Sequence, residues 1–262
     1  MNTERRASKK MSLCCTSAAL LFVQFAFALP SSAESVPRVD PPHAMVAGRT
    51  IGEWTGDWWR SAISAVDFPF PANVSQPGAL GNVRGPVFFA VASPGPGVTT
   101  YTYTVPRGKH VLLPLYTYSW AIQTSSDPCS DVHCAHALVD SWVHATTSMK
   151  VRIDGEPIRN LFSHYEATPD FSAVSVPVAG WWAGGDPALA GLWHVFASGY
   201  WLMLEPLSPG RHVVSITVTA PYSCADCGAI PSPGPPEASA TILILTVPCD
   251  EDERNDRCKA ER

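Results

Sequence analysis

The chain has 262 residues and a formal net charge of −5, with 18 Lys and Arg against 23 Asp and Glu. Apolar residues make up 46% and charged residues 16%, a composition that supports a packed core and excludes global disorder. The 25 Pro and 18 Gly exclude a helix bundle, and because they follow no Gly-X-Y period they do not indicate collagen. An acidic balance without a cluster of Lys and Arg argues against a nucleic-acid partner.

The N-terminal residues 1–33 have the pattern of a secretory signal. A basic start of net charge +3 precedes an apolar run at 13–29, and Ser31, Ser32 and Ala33 supply the small residues of a cleavage site. We therefore expect cleavage near Ala33 and a secreted or periplasmic protein. The run contains Thr16, so we expect no stable membrane span after the signal is removed.

Cysteine usage agrees with export. Six cysteines follow the signal: Cys129, Cys134, Cys224, Cys227, Cys249 and Cys258. An even number in an exported chain predicts disulfides, and the spacing favours 129–134, 224–227 and 249–258. The alternative is a four-thiolate zinc site, which an oxidising compartment disfavours.

One helix is predicted at 50–66, after a polar, Pro-bearing linker at 34–48. Thr50 and Glu53 form a capping box, and apolar residues then recur at three- and four-residue steps. Three tryptophans lie on or beside this stripe, at 54, 58 and 59. The helix is therefore expected to pack against a large apolar surface.

The rest of the chain reads as β-strands. Apolar and polar residues alternate at 100–105, 149–153 and 214–219, and short apolar runs at 87–91, 111–115, 201–204 and 242–247 fit buried strands. Asp154-Gly155 is a hairpin-turn signal. We predict an all-β domain at 49–248, built as a two-sheet antiparallel sandwich or jelly-roll-like fold with one N-terminal amphipathic helix and long loops. Residues 249–262 are a charged tail.

Five segments carry a family resemblance: Gly52-Glu53-Trp54 with Trp58-Trp59, then 85–89, 105–109, 151–155 and 199–212. Across roughly residues 50–248 they resemble a family of exported bacterial proteins of uncharacterised function. The resemblance implies a secreted β-sandwich with a Trp-rich N-terminal helix, and it brings no catalytic residues. The chain departs from the family after Pro114, where residues 116–120 (Tyr-Thr-Tyr-Ser-Trp) replace a polar Asn…Glu-Cys segment.

A histidine stripe is the one pattern with metal-ligand spacing outside the cysteines. If residues 133–145 are helical, His133, His136, Asp140 and His144 share one face, and Leu138, Val139 and Trp142 share the opposite face. Such ligands chelate Zn²⁺ or a similar divalent ion. The alternative, which we favour, is the solvated face of a short helix with no cofactor.

The chain lacks the motifs of several enzyme classes. It contains no G-x-S-x-G, G-x-x-x-x-G-K-[ST], H-E-x-x-H or G-x-G-x-x-G sequence. Glycan-cleaving carboxylates carry no motif, so a secreted polysaccharide hydrolase or lyase using Asp186 or Glu205 with a His stays an alternative.

A loop with paired aromatic residues is the best candidate contact patch. Trp181 and Trp182 lie between glycines, and Asp186 follows them. Paired Trp beside a carboxylate form a platform for a sugar ring or an apolar partner. We therefore expect an exported binding or interaction module whose partner is an extracellular glycan or an envelope protein.

Overall fold

The computed structural model describes residues 37–65, 85–92, 95–122, 127, 129–180, 182–226 and 230–249, with the backbone alone at 170–173. The predicted signal, the charged tail beyond Cys249 and Trp181 lie outside the described residues. Among the helices within those ranges, none combines the length and the apolar character needed to cross a membrane.

The described residues form two α-helices and thirteen β-strands. The helices are α1 (Ile51–Ser64) and α2 (Val132–His144). Two short 3-10 helices cover Leu161–His164 and Pro187–Leu189. The strands are β1 (Met45–Val46), β2 (Arg49–Thr50), β3 (Val87–Phe89), β4 (Gly97–Thr104), β5 (His110–Ile122), β6 (Ser148–Ile153), β7 (Glu156–Ile158), β8 (Tyr165–Val176), β9 (Gly191–Leu204), β10 (Gly210–Pro221), β11 (Cys224–Asp226), β12 (Ser232–Pro233) and β13 (Pro236–Val247).

The fold is mostly β, as predicted, with two main sheets. A five-stranded sheet has the order β4-β13-β10-β6-β7, and a four-stranded sheet has the order β3-β5-β9-β8. Apolar side chains of both sheets belong to one buried cluster, and the rings of Phe88 and Tyr103 meet across it with centroids 5.6 Å apart.

The prediction of purely antiparallel sheets is wrong at two pairs. β13 pairs parallel with β4, and β5 pairs parallel with β3. Parallel neighbours need a crossover connection, and between β3 and β5 the chain provides one by running through β4 in the other sheet. The single helix of the prediction is also incomplete, because α2 is a second one.

Helix α1 begins with the predicted capping box, in which the Thr50 side chain accepts from the Glu53 N–H and the Glu53 carboxylate accepts from the Thr50 N–H. All three of its tryptophans are buried. Their indole N–H groups donate to Val46 O, Ala90 O and Thr117 Oγ1 at 2.9, 2.8 and 3.2 Å. Each large apolar ring therefore enters the core without leaving its polar atom unpaired.

Helices α1 and α2 lie on opposite faces of β9. The ring of Trp201 contacts Trp58 of α1, with centroids 5.3 Å apart. Phe196 packs with Val139 of α2, and Ser198 donates to Asp140 of α2. Because side chains alternate along a strand, residues 196 and 198 point away from the face that carries 201. This two-sided cover explains why β9 is buried along almost its whole length.

The described part of the predicted linker crosses one end of the four-stranded sheet. The Asp40 N–H donates to Met203 O at 2.8 Å, and Asp40 Oδ2 lies 3.0 Å from His110 Nδ1. Farther along, the His43 N–H donates to Glu166 Oε1 at 2.9 Å. Met203 lies on β9, His110 on β5 and Glu166 on β8. These contacts therefore attach the segment to three strands.

The local predictions at the cysteines and at the hairpin turn are also confirmed in part. Cys129 and Cys134 form a disulfide with Cα atoms 5.5 Å apart, which leaves no thiolate there for zinc. Cys224 and Cys249 each take part in a disulfide as well. Their predicted partners, Cys227 and Cys258, lie outside the described residues. At the β6–β7 turn, Asp154 and Gly155 have φ values of 52° and 87°, as a two-residue hairpin of this type requires.

Strand β5 passes close to the backbone of β9 at Gly199. A Cβ atom there would lie 2.6 Å from Thr117 Cβ and 2.7 Å from Tyr116 O. Gly199→Ala should therefore lower the free energy of unfolding by about 2 kcal/mol, because overpacking forces the strands apart. Urea denaturation of the purified protein measures this. Gly95→Ala is the control, since nothing lies within 4 Å of its Cβ position, and an equal loss in both variants would contradict the explanation.

Candidate functional site

The histidine stripe lies on a helix, as predicted, with Leu138, Val139 and Trp142 buried on the other side. Its four members differ in environment, because His133 and His144 are exposed whereas His136 and Asp140 are half-buried. The ring of His136 packs edge-on against Phe196 at 5.2 Å. The stripe is therefore packed in part against the sheet rather than wholly solvated.

The stripe does not assemble a metal site. Across the described residues, no group of three or more His, Cys, Asp or Glu side chains is placed to hold a metal ion. Asp140 Oδ1 instead accepts from the Tyr165 hydroxyl at 2.6 Å and from Ser198 Oγ at 3.0 Å. The four side chains of the predicted ligand set, His133, His136, Asp140 and His144, therefore do not converge on one point. The carboxylate of Asp140 instead joins α2 to β8 and β9.

Asp140 belongs to a group of side chains that we call the Tyr165 cluster: Asp140, His144, Phe162, Tyr165 and Tyr200. The imidazole of His144 lies 5.1 Å from the Tyr165 ring. The rings of Phe162 and Tyr165 stand at 82° and 69° to the Tyr200 ring, with centroids 5.4 and 6.0 Å from it. The rings of Phe162 and Tyr165 therefore both pack edge-to-face with Tyr200, and Tyr165 in turn contacts the Asp140 carboxylate and the His144 imidazole.

Several polar atoms of the Tyr165 cluster have no partner within the described chain. Both hydrogen bonds to Asp140 use Oδ1, which leaves Oδ2 unpaired. The Tyr200 side chain is only 5% exposed, yet its hydroxyl makes no hydrogen bond to a described residue. The Phe162 ring is 49% exposed. Exposed ring surface beside unpaired acceptors and donors is the chemistry of a binding site.

Tyr165 is a hydrogen-bond donor in this cluster and is unsuited to act as a base. Burial, together with its hydrogen bond to Asp140, raises the pKa of Tyr165 to about 12. The phenol therefore stays protonated at neutral pH, and it holds the carboxylate in place.

The predicted contact patch lies in the β8–β9 connection. Trp182 is half-buried against the core, whereas Trp181 lies outside the described residues. Asp186 is exposed, and its Oδ1 accepts from the Ala188 N–H at 2.8 Å, so it caps the second 3-10 helix. Among the described residues of this connection and of the start of β9, the exposed large apolar side chains are Val178 (44%), Leu189 (40%) and Leu192 (66%).

The two predicted catalytic carboxylates are not brought together. Asp186 precedes β9, and Glu205 directly follows its end. A strand of 14 residues is about 45 Å long, whereas paired glycosidase carboxylates stand about 5–10 Å apart. Asp186 and Glu205 therefore lie too far apart to act on one glycosidic bond, and the pairing of either one with a His stays a prediction.

A buried carboxylate and imidazole lie on the α1 side of β8. Glu166 is buried, and His43 approaches it with Nδ1 at 3.2 Å from Oε2. His164 is also buried, and its Nδ1 makes no hydrogen bond to any residue that the structure describes. Because Tyr165 and Glu166 are neighbours on one strand, this pair faces away from the Tyr165 cluster.

Asp154, His212 and Ser208 are arranged in the sequence of contacts of an Asp-His-Ser triad, but their hydrogen bonds do not fit triad catalysis. His212 Nδ1 lies 2.7 Å from Asp154 Oδ2, and Ser208 Oγ lies 3.4 Å from His212 Nε2. The Ser208 carbonyl oxygen is closer to Nε2, at 2.8 Å. Because a carbonyl oxygen can only accept, Nε2 donates a hydrogen bond to it and is not available to accept one from the hydroxyl. The contact ties the β9–β10 turn to the β6–β7 turn.

The sequence reasoning found two members of the Tyr165 cluster, Asp140 and His144, and missed three. Tyr200 lies in the Gly-Tyr-Trp segment of the family resemblance, which assigned it no role. Phe162 and Tyr165 have no distinguishing local pattern. Only the pairing of β8 with β9, which sets Tyr165 opposite Tyr200, brings them together.

The buried imidazole predicts a loss of stability in acid. Burial lowers the pKa of His164 from 6.5; Glu166 opposes this shift, and His43 adds to it. The unfolded chain therefore binds more protons than the folded protein as the pH falls below about 6.5, and folded stability decreases there. His164→Leu should be less sensitive to acid, so its urea midpoint should rise relative to the parent protein between neutral and acidic pH.

His133→Leu is the matched control, because His133 is exposed on α2. An acid response of His164→Leu equal to that of the parent and of this control would show that His164 does not contribute.

Comparisons with known proteins give no assignment. No protein-family model matches the chain, and no curated protein matches it. It is similar to a chain from a structure of PbICP-C in complex with falcipain-2, at 14% identity and a TM-score of 0.23, over 62% of this chain and 99% of that one. It is also similar to the solution structure of amebosin, at 12% identity and a TM-score of 0.18, over 58% and 99%. Likenesses at these scores carry no argument, and the family resemblance stays a prediction.

Proposed function

We propose that the protein is an exported carbohydrate-binding module, built as a two-sheet sandwich, and that the Tyr165 cluster is its sugar site. The observation that carries the proposal is the exposed Phe162 side chain in contact with Tyr200, together with Asp140 Oδ2 and the Tyr200 hydroxyl, which make no hydrogen bond to a described residue. A sugar ring offers C–H groups to an aromatic face and hydroxyl groups to such polar atoms.

Binding is favoured over hydrolysis or lyase chemistry. A glycosidase needs two carboxylates about 5–10 Å apart, and Asp140 is the one carboxylate in the cluster. A lyase needs a base to abstract a proton, and Tyr165, with its pKa raised to about 12, is a donor. Neither the carboxylate pair of a glycosidase nor a tyrosinate base is found in the cluster, and we therefore propose binding as its function.

A second candidate function, docking of an envelope protein, is favoured by the β8–β9 connection. Among its described residues, the large exposed side chains Val178, Leu189 and Leu192 are aliphatic. Aliphatic surface of this kind suits a protein partner, whereas sugar platforms are aromatic. Trp181, Trp182 and Asp186 remain the predicted contacts of that surface.

The sugar site predicts the effect of removing its exposed ring. Phe162→Ala should weaken binding to a retained polysaccharide about tenfold, or ~1.4 kcal/mol, because the stacking face is lost. The measurement is affinity electrophoresis against neutral, acidic and amino polysaccharides, with a parallel assay for new reducing ends. The parent protein should be retained without releasing product.

Val98→Ala is the control, since Val98 is 74% exposed on β4 and lies on the other sheet. Equal retention of Phe162→Ala and Val98→Ala would show that the sugar does not bind at the Tyr165 cluster. Release of product by the parent protein would replace the binding function with an enzymatic one.

The protein-docking candidate predicts site-specific contact in the native compartment. A photo-crosslinking residue at Leu189 or Leu192 should yield one discrete adduct with an envelope protein, and the same residue at Val98 should not. Leu192→Asp should reduce the adduct formed from position 189 about tenfold, because a charge opposes burial of the patch. Identical adduct patterns at positions 189 and 98 would rule out docking at this connection.

A further inference from the structure

We propose that the sugar recognised by the Tyr165 cluster carries an ammonium group, so that the ligand is an amino sugar within a polysaccharide. The inference rests on the proposed function and specifies its substrate class. The structural reason is an electrostatic one, an unpaired carboxylate oxygen beside aromatic faces.

Asp140 is half-buried and takes part in no ion pair with a described residue. Its Oδ1 is satisfied by two hydroxyl donors, and its Oδ2 is left without a partner. A carboxylate held partly out of water gains more from a cation than an exposed one does, because solvent screens the attraction less. A ligand ammonium group is therefore its best partner.

The aromatic rings reinforce the preference for a cation. Phe162, Tyr200 and Tyr165 form a continuous group of rings packed against one another, and the Tyr165 hydroxyl at its end donates to Asp140. A cation is attracted to ring faces within about 6 Å, and more strongly where water is partly excluded. Carboxylate and rings thus favour the same charge on the ligand.

The remaining polar groups suit the neutral part of a sugar. The Tyr200 hydroxyl can donate to or accept from a ligand hydroxyl, and the exposed imidazole of His144 lies beside the Tyr165 ring. A uronic acid in the same site would place a second carboxylate near Asp140, and two negative charges close together repel each other. The net charge of −5 of the chain likewise repels a polyanionic polysaccharide and attracts a polycationic one.

Three oligosaccharides of equal length test the inference: a glucosamine oligomer, its fully N-acetylated counterpart, and a galacturonate oligomer. Titration calorimetry is carried out below the pKa of the sugar amine. The parent protein should bind the glucosamine oligomer at least about tenfold more tightly than the N-acetylated one, and the galacturonate oligomer most weakly. Added salt should weaken the first interaction and leave the second nearly unchanged.

Asp140→Asn should bring the glucosamine and N-acetylated oligomers to within about threefold of each other, because the amide oxygen still accepts from Tyr165 but carries no charge. Glu53→Gln is the matched control. It removes the same charge on α1, beyond the opposite face of the sheet, and glutamine preserves a capping box. This variant should keep the full preference.

The outcomes separate the two claims. Equal or tighter binding of the N-acetylated oligomer by the parent protein, or a preference that survives both salt and Asp140→Asn, overturns the ammonium assignment and leaves carbohydrate binding in place. Failure of the parent protein to bind any of the three oligomers, together with no retention by any polysaccharide, overturns both.

Discussion

Strand β9 is covered on both faces, and the rest of the molecule is arranged around that burial. On one face Trp201 meets Trp58 of α1, and on the other Phe196 packs with α2. A strand buried on both faces carries few polar side chains and is strongly fixed in register, because neither face can turn to water. At Gly199 a side chain would collide with Thr117 and Tyr116 O of β5, so a residue of β9 also limits the spacing to its neighbour.

The register of β8 on β9 separates two polar environments. Tyr165 pairs with Tyr200 on the α2 side, whereas Glu166 points to the α1 side and meets the segment that carries His43. A slip of one residue would exchange these faces, moving a carboxylate into the aromatic group. The proposed sugar site thus depends on a strand pairing rather than on any one loop, and α2 completes it with Asp140 and His144.

The hydrogen bonds of Asp140 explain how a structural contact can also be a binding contact. Oδ1 joins α2 to Tyr165 and Ser198, which fixes the carboxylate without consuming Oδ2. The group is therefore pre-organised, and little side-chain entropy is lost when a ligand arrives. The other polar groups differ in this respect: Asp186 caps a 3-10 helix, and His212 has acceptors at both nitrogens.

The sequence alone determined the features that depend on neighbours along the chain. These are the capping box of α1, the helical stripe of α2, the Cys129–Cys134 disulfide and the Asp154-Gly155 turn, whose partners lie within a few residues of one another. Alternation likewise located β4, β6 and β10. Tertiary structure alone decided the parallel pairs and the Tyr165 cluster, because Asp140, Phe162 and Tyr200 meet only through contacts between distant segments. It also decided that the histidine stripe packs against aromatic rings, since a helical pattern shows which residues share a face but not what that face contacts.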